Sequence, residues 1–270
     1  MDESFEPPIE VPQDLKVGEA KSVLMEKLFE VRPDEVFYER QIEVFFEDSI
    51  FHWITAKALH ELVDEDQIQT DLVPLSGNTR IRFYWSSGKR SWKRKANAIR
   101  KLVREYSVQE FTAALGNHGE MMFDAALPRV GFVYKARDVR AYKGKEAAGQ
   151  RNLDRVFERD GLEYGIEIKN TLDYIDRDEL REKITICKTL GLIPLFIVRM
   201  MPKNYIYEDV YQVGGFCLLF KWQLYPHGSK ALAERVHNAL ELPVDSPKMI
   251  ADGTLQRLLK GHEKILTRFK

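Results

Sequence analysis

Three residues in the second half of the chain, Asp154, Glu167 and Lys169, have the types and spacing for chemistry on a phosphate. Glu167 and Lys169 lie in "YGIEIKN", Tyr164 to Asn170, where they alternate with Tyr164, Ile166 and Ile168. A period of two predicts a strand with one apolar and one charged face, its same-face neighbours about 7 Å apart. Asp154 stands 13 residues before Glu167, and "RDGLE" between them reads as a hairpin turn, so the two acids fall on neighbouring strands. Carboxylates converging across a hairpin suit a hard divalent cation, Mg2+ or Mn2+, which commonly uses only one or two of them. A neighbouring ammonium offsets their charge and can orient or activate an attacking water. On an exposed edge strand the same Glu-x-Lys would be only a surface ion pair.

The surrounding elements read as α/β. A helix over about Val108–Ala126 precedes a strand at Gly131–Tyr142, the polar loop "KGKEAAGQRN", and strands near Leu153–Glu158 and Tyr164–Lys169. A helix over about Asp176–Leu190, the apolar strand "IPLFIVR", a short helix near Tyr205–Val213 and a buried-type strand in "GGFCLLFKW" follow. This order predicts one mixed sheet flanked by helices, and Ser229–Lys270 reads as two further helices.

Asp154 followed by Glu167-Ile168-Lys169, on a hairpin after a helix, resembles the PD-(D/E)xK nuclease superfamily, and so a restriction endonuclease-like fold. In the branch with Holliday-junction resolvases and Mrr-like restriction endonucleases a further glutamate sits on the preceding helix; "GNHGEMMFDAAL" supplies Glu120. That family's helix, Gly-x-x-Pro and apolar strand are matched by "KTLGLIPLFIVR". The resemblance covers about Phe111–Phe220 and implies Asp154, Glu167 and Glu120 as metal ligands with Lys169 as the fourth catalytic residue. Two positions depart from it: Leu153 stands where proline is frequent, and Lys183 or Lys188 where many members carry glutamine. Each assignment has competitors. Glu158 and Asp160 compete with Asp154, and Asp124 with Glu120 one turn along the helix. His118 reads as a capping or surface residue, Asn170 as the end of the strand, and Arg199 and Lys203 as phosphate contacts or surface charges.

The first half has another character. "MDESFEPPIEVPQD" is an acidic, Pro-containing arm with no apolar signal segment. Helices are expected at about Val17–Val31, Glu35–Glu47 and Ile54–Asp66, then a hairpin turning at "SGN". Helix, helix, hairpin resembles a winged helix-turn-helix over about residues 34–86. From Arg80 to Arg104 there are ten basic residues and no acid, with Phe83, Tyr84, Trp85 and Trp92 interleaved. In a chain of net charge −1, that run is the footprint of phosphate-backbone contact, nominating Arg80, Arg82, Lys89, Arg90, Lys93, Arg94 and Lys95 for DNA binding. The bland alternative is a solvated basic helix pairing with acids elsewhere in the chain.

The 270 residues divide as an extension and helix (1–33), a winged-helix-like domain with a basic helix (34–106), a nuclease-like α/β domain (107–225) and C-terminal helices (226–270). Two cysteines in apolar runs, Cys187 and Cys217, and no apolar run of about 20 residues point to a cytoplasmic chain with no membrane partner. The expected activity is a Mg-dependent deoxyribonuclease acting on double-stranded or branched DNA; the winged module would serve equally to join a homodimer. A junction resolvase shares the second-half pattern, and RNA fits the chemistry as well. The alternative of another class is an inactive nuclease-fold DNA-binding regulator or scaffold.

Overall fold

The structure, a computed structural model, describes residues 13–88 and 91–269 and divides into two compact units, Met1–Glu105 and Tyr106–Lys270. The arm expected over residues 1–15 lies outside the described residues up to residue 12.

In the first unit, α1 (Gln13–Leu24) runs on through a π-helical turn, Met25–Phe29, into β1 (Val36–Tyr38), α2 (Glu39–Phe46) and α3 (His52–Asp64). β2 (Ile68–Ser76), β3 (Thr79–Ser86) and the basic helix α4 (Trp92–Tyr106) follow. The strands form an antiparallel sheet in the order β1-β3-β2. The hairpin turns at Gly77–Asn78, with Gly77 at φ +51°. Two expectations are corrected here. Residues Val36–Tyr38, read as the start of a helix, pair with Phe83, Tyr84 and Trp85 as a strand. A short aromatic and β-branched run fits either period, and the partner strand decides. The helix of the expected 1–33 segment is also not separate from the unit that follows, because Val17, Leu24 and Leu28 are buried with Phe37, Ile42 and Leu59 in one core.

In the second unit, α5 (Gln109–Ala126) precedes β4 (Val133–Val139) and a small ladder of β5 (Ala141–Tyr142) with β6 (Lys145–Glu146). The single strand expected over Gly131–Tyr142 is interrupted at Arg140, between β4 and β5, shortly after Asp138 with its φ of +51°. β7 (Leu153–Arg159) and β8 (Leu162–Lys169) form a hairpin with both turn residues, Asp160 and Gly161, at positive φ. α6 (Arg177–Leu190) crosses to β9 (Ile193–Val198), and β10 (Phe216–Leu219) follows a short helical segment. β11 (Gln223–Leu224), α7 (Lys230–Leu240), β12 (Val244–Asp245) and α8 (Asp252–Phe269) complete the unit. The main sheet is mixed, in the order β10-β9-β8-β7-β4, with β8, β9 and β10 parallel. α8 shares its core through Leu255, Leu258 and Ile265, so residue 225 is not a boundary. No described helix is long and apolar enough to cross a membrane.

β8 is therefore a central strand. Tyr164, Ile166 and Ile168 face the core shared with α5 and α8, and the charged face lies under α6. Gly165 makes that cover possible: a Cβ there would lie 2.6 Å from Cys187 Sγ. Asn170 ends β8 and does more than stop it. Its Nδ2 donates to the Leu115 and Leu224 carbonyls, and its Oδ1 accepts from Leu224 N–H, tying α5, β8 and β11 together. Gly119 lets α5 come this close, since a Cβ would lie 2.6 Å from Asn170 Cβ. Alanine ordinarily favours a helix over glycine by about 1 kcal/mol, but overpacking here costs about 1–3 kcal/mol. Gly119→Ala is thus expected to lower the melting temperature by some degrees in thermal denaturation; a higher one would mean that α5 has slack against Asn170.

Candidate active site

Asp154 is the second residue of β7, and its Oδ2 accepts the Ile168 backbone N–H at 2.7 Å. The bond brings this carboxylate to the strand segment between Glu167 and Lys169. Glu167, 2% exposed, points under α6. Its Oε1 lies 3.3 Å from Lys169 Nζ and its Oε2 2.6 Å from Lys183 Nζ, the latter an ion pair without hydrogen-bond alignment. Lys183 directs its hydrogen bond to the Asn152 carbonyl instead. Lys169 donates to Glu179 Oε1 at 2.7 Å, and Arg151 approaches the same oxygen at 3.6 Å.

Burial, reinforced by the Asp154 charge, pushes the Glu167 carboxyl up to about 7 against the pull of Lys183 and Lys169. Burial also raises Asp154; the Ile168 N–H and Lys183 pull it back, and Glu120 adds to the rise. For Lys169, burial opposes the charge but is outweighed by Glu167 and Glu179, so its pKa is raised and it stays an ammonium.

Glu120 stands near enough to act on Asp154, yet it is engaged elsewhere. Its Oε2 accepts from Arg155 Nη2 at 2.8 Å, and Arg155, itself 2% exposed, also clasps Asp124 through Nε at 2.8 Å. The two competing helix acids are thus held by one guanidinium. Among the described residues no three of His, Cys, Asp and Glu are gathered as a metal-holding group. A hard cation would be held by Asp154 and Glu167, whose oxygen donors and raised pKa values fit one; Glu120 could join only after leaving Arg155.

The remaining candidates separate cleanly. Glu158 pairs with Lys135 at 3.5 Å, and Asp160 meets His262 at 2.8 Å, both near the hairpin turn. His118 lies within α5 rather than at a cap, half-buried with its pKa lowered by burial. Arg199 is corrected from a phosphate contact to a structural residue: it is 1% exposed and donates to the Thr171 and Leu172 carbonyls, both at 2.8 Å. Lys203 and Lys188 are exposed. Glu179 and Arg151 belong to no motif of the sequence, and Lys183, one of the two lysines standing where glutamine is frequent, pairs with Glu167. Glu179 and Lys183 are four apart on α6, the spacing of one helix face, which was the available signal.

In the first unit Arg80, Lys93, Arg94 and Lys95 are exposed and Arg82 is half-buried, while Lys89 and Arg90 lie outside the described residues. Part of this charge serves the fold. Lys95 donates to the Asp34 carbonyl at 2.9 Å and Arg104 to the Leu75 carbonyl at 2.8 Å. Trp92 stacks on Trp85 at 4.2 Å, fixing the start of α4 against the sheet.

No protein-family model, no curated protein and no solved structure matches the chain.

The Glu167–Lys183 pair has a pH signature. A carboxyl raised from 4.5 to about 7 makes the native state bind the extra proton, so its ionisation costs stability as pH rises through that interval. Lys183→Met is expected to move the Glu167 midpoint higher in carboxyl 13C NMR. It should cost roughly 3–5 kcal/mol at pH 8 and clearly less at pH 5, where Glu167 holds its proton. Equal losses at both values would mean that Lys183 does not act on Glu167.

Proposed function

We propose that the chain is a metal-dependent deoxyribonuclease of the PD-(D/E)xK kind, with a winged-helix-like DNA-binding unit before it. The observation that carries this reading is the Asp154–Ile168 bond, which sets an acid from β7 beside Glu167 and Lys169 on a buried central strand. Burying Glu167 and Lys183 there, with Asp154 and Lys169 half-buried beside them, is costly and has no need in an edge-strand ion pair. A five-stranded mixed sheet with helices on both faces is what a restriction endonuclease-like fold requires.

Asp154 and Glu167 would hold Mg2+ or Mn2+, with Glu120 drawn from Arg155 by the cation's charge. Bound there, the cation would lower the pKa of a water and offset phosphate charge. Lys169, kept protonated by Glu167 and Glu179, would orient the water and stabilise negative charge in the transition state; as an ammonium it has no lone pair to accept a proton. Glu179 would hold the lysine in place.

The order β1-α2-α3-β2-β3 with sheet order β1-β3-β2 supports the winged-helix reading. α3 is a poor reader of DNA, because Glu61 and Glu65 near its end are acids, paired with Lys21 of α1. Double-stranded or branched DNA would lie instead along β3 and α4, where the exposed cations are. The unit would serve also to join a homodimer.

A second reading has its own observation. Lys183 on Glu167 and Arg155 on Glu120 fill both carboxylates with the chain's own cations, as an inactive DNA-binding regulator could keep them. Plasmid incubation with Mg2+, Mn2+ or EDTA decides between the two. Cleavage with metal is expected, lost in Lys169→Ala while DNA binding persists; undiminished cleavage by that variant would remove Lys169 from the site, and none by the unaltered chain favours the regulator. For the basic surface, Arg94→Ala with Lys95→Ala is expected to lower the slope of log affinity against log salt by about 2. An unchanged slope would take α4 out of the interface.

A further inference from the structure

We infer that the second unit carries a separate groove for a single strand of nucleic acid, lying between α8 and the edge strand β10. The groove is a cavity of about 280 Å³, and its rim includes Arg257, Lys260, Lys264 and Arg268, with Tyr211 and Phe216 on its other wall. The four cations are three or four residues apart along α8 and share one face of it. All four are exposed. The two acids of the helix stand off that face: Asp252 is held by Arg129, and Glu263 points elsewhere by helical phase. Arg257 gives hydrogen bonds to the Leu219 carbonyl at 3.3 Å and to Gly253 and Thr254 of its own helix, which fixes that end of the stripe to β10.

Charge complementarity names the occupant. A row of cations spaced over about 16 Å of helix matches the repeating charge of a phosphate backbone and is a poor fit to a single small anion. Tyr211 is 38% exposed beside it and offers a ring for a base, with Tyr207 against it at 5.3 Å. An unpaired strand presents both its backbone and its base faces to such a surface, whereas a duplex hides the faces. The groove also has a direction. In the parallel register Lys169, Val198 and Leu219 stand level, so the Leu219 carbonyl held by Arg257 lies two strands, about 10 Å, from the Lys169 backbone, with α8 on the face opposite the Lys169 side chain. From there the stripe leads towards the opposite end of β10, because Gly261 packs on Phe216. That the strand in the groove is a continuation of the substrate rests on the nuclease reading; the binding of a strand does not.

The test uses the full chain carrying Lys169→Ala in EDTA, with Arg94→Glu added so that α4 does not mask the result. Fluorescence anisotropy is read with a labelled single-stranded DNA of about ten nucleotides and with the matching duplex. Lys260→Gln with Lys264→Gln, both exposed and tolerant of change, is expected to weaken strand binding about tenfold and to lower the salt slope by about 1.4. Tyr211→Leu should weaken it at least about fivefold with the slope unchanged. Unaltered affinity in the lysine variant, or a duplex bound as tightly with the same dependence, would overturn the groove. Failure of the unaltered chain to cleave DNA with Mg2+ would remove the nuclease reading and leave these affinities as they are.

Discussion

A carboxylate in a central strand under a helix is the constraint around which the second unit is arranged. Desolvating Glu167 and its neighbours costs several kcal/mol per ion, so the carboxylate must find cations or keep a proton. The fold does some of each. Lys183 comes down from α6 and Lys169 along β8, and even so the Glu167 carboxyl is left titrating at about 7. A structural ion pair would be expected to bring its acid well below its ordinary value. This one does not, because burial outweighs the two lysines and the Asp154 charge on the same side adds to the rise. Such an arrangement of acids destabilises the native state at neutral pH and is of use where a further positive charge is to be received.

The scaffold holds this arrangement through close approaches rather than through the acids themselves. Gly165 lets α6 settle on the charged face, and Gly119 lets α5 settle on Asn170. Asn170 then satisfies backbone groups of α5 and β11 immediately after Lys169, so the lysine leaves a strand end that is fixed on both sides. Arg155 has a similar part on the opposite face. It keeps Glu120 and Asp124 together on α5 and its Nη1 donates to the Asp154 carbonyl, so the helix acids and the β7 acid share one guanidinium as their reference. The first unit solves a different problem. It places a run of like charges on β3 and α4, and it tolerates them by giving several to backbone carbonyls while Trp85 and Trp92 stack where the helix begins.

Most elements could be read from the chain because their signals are local. The β7–β8 hairpin follows from Asp-Gly between two strand-like runs, and α6 follows from Asp176 as its N-cap and Gly191 after its end. Val36–Tyr38 could not be read so, since three β-prone residues carry no period and only β3 makes them a strand. α1 is likewise not tied by its sequence to the unit it belongs to: a helix with a weakly patterned sequence does not state what it packs on.

The sequence by itself determined which residues could be acids and bases on one face of one strand, since alternation is a property of the backbone. It also determined where basic charge accumulates. Only the tertiary structure decided that the strand is central and covered, which turns Glu167 and Lys169 from a possible surface pair into a buried carboxylate and a half-buried lysine that interact. The structure alone also gave Lys183 to Glu167, Arg155 to Glu120 and Arg199 to a loop. Ion pairing is set by distances in space between residues 16 to 35 positions apart, and hydrophobic pattern carries no record of those distances.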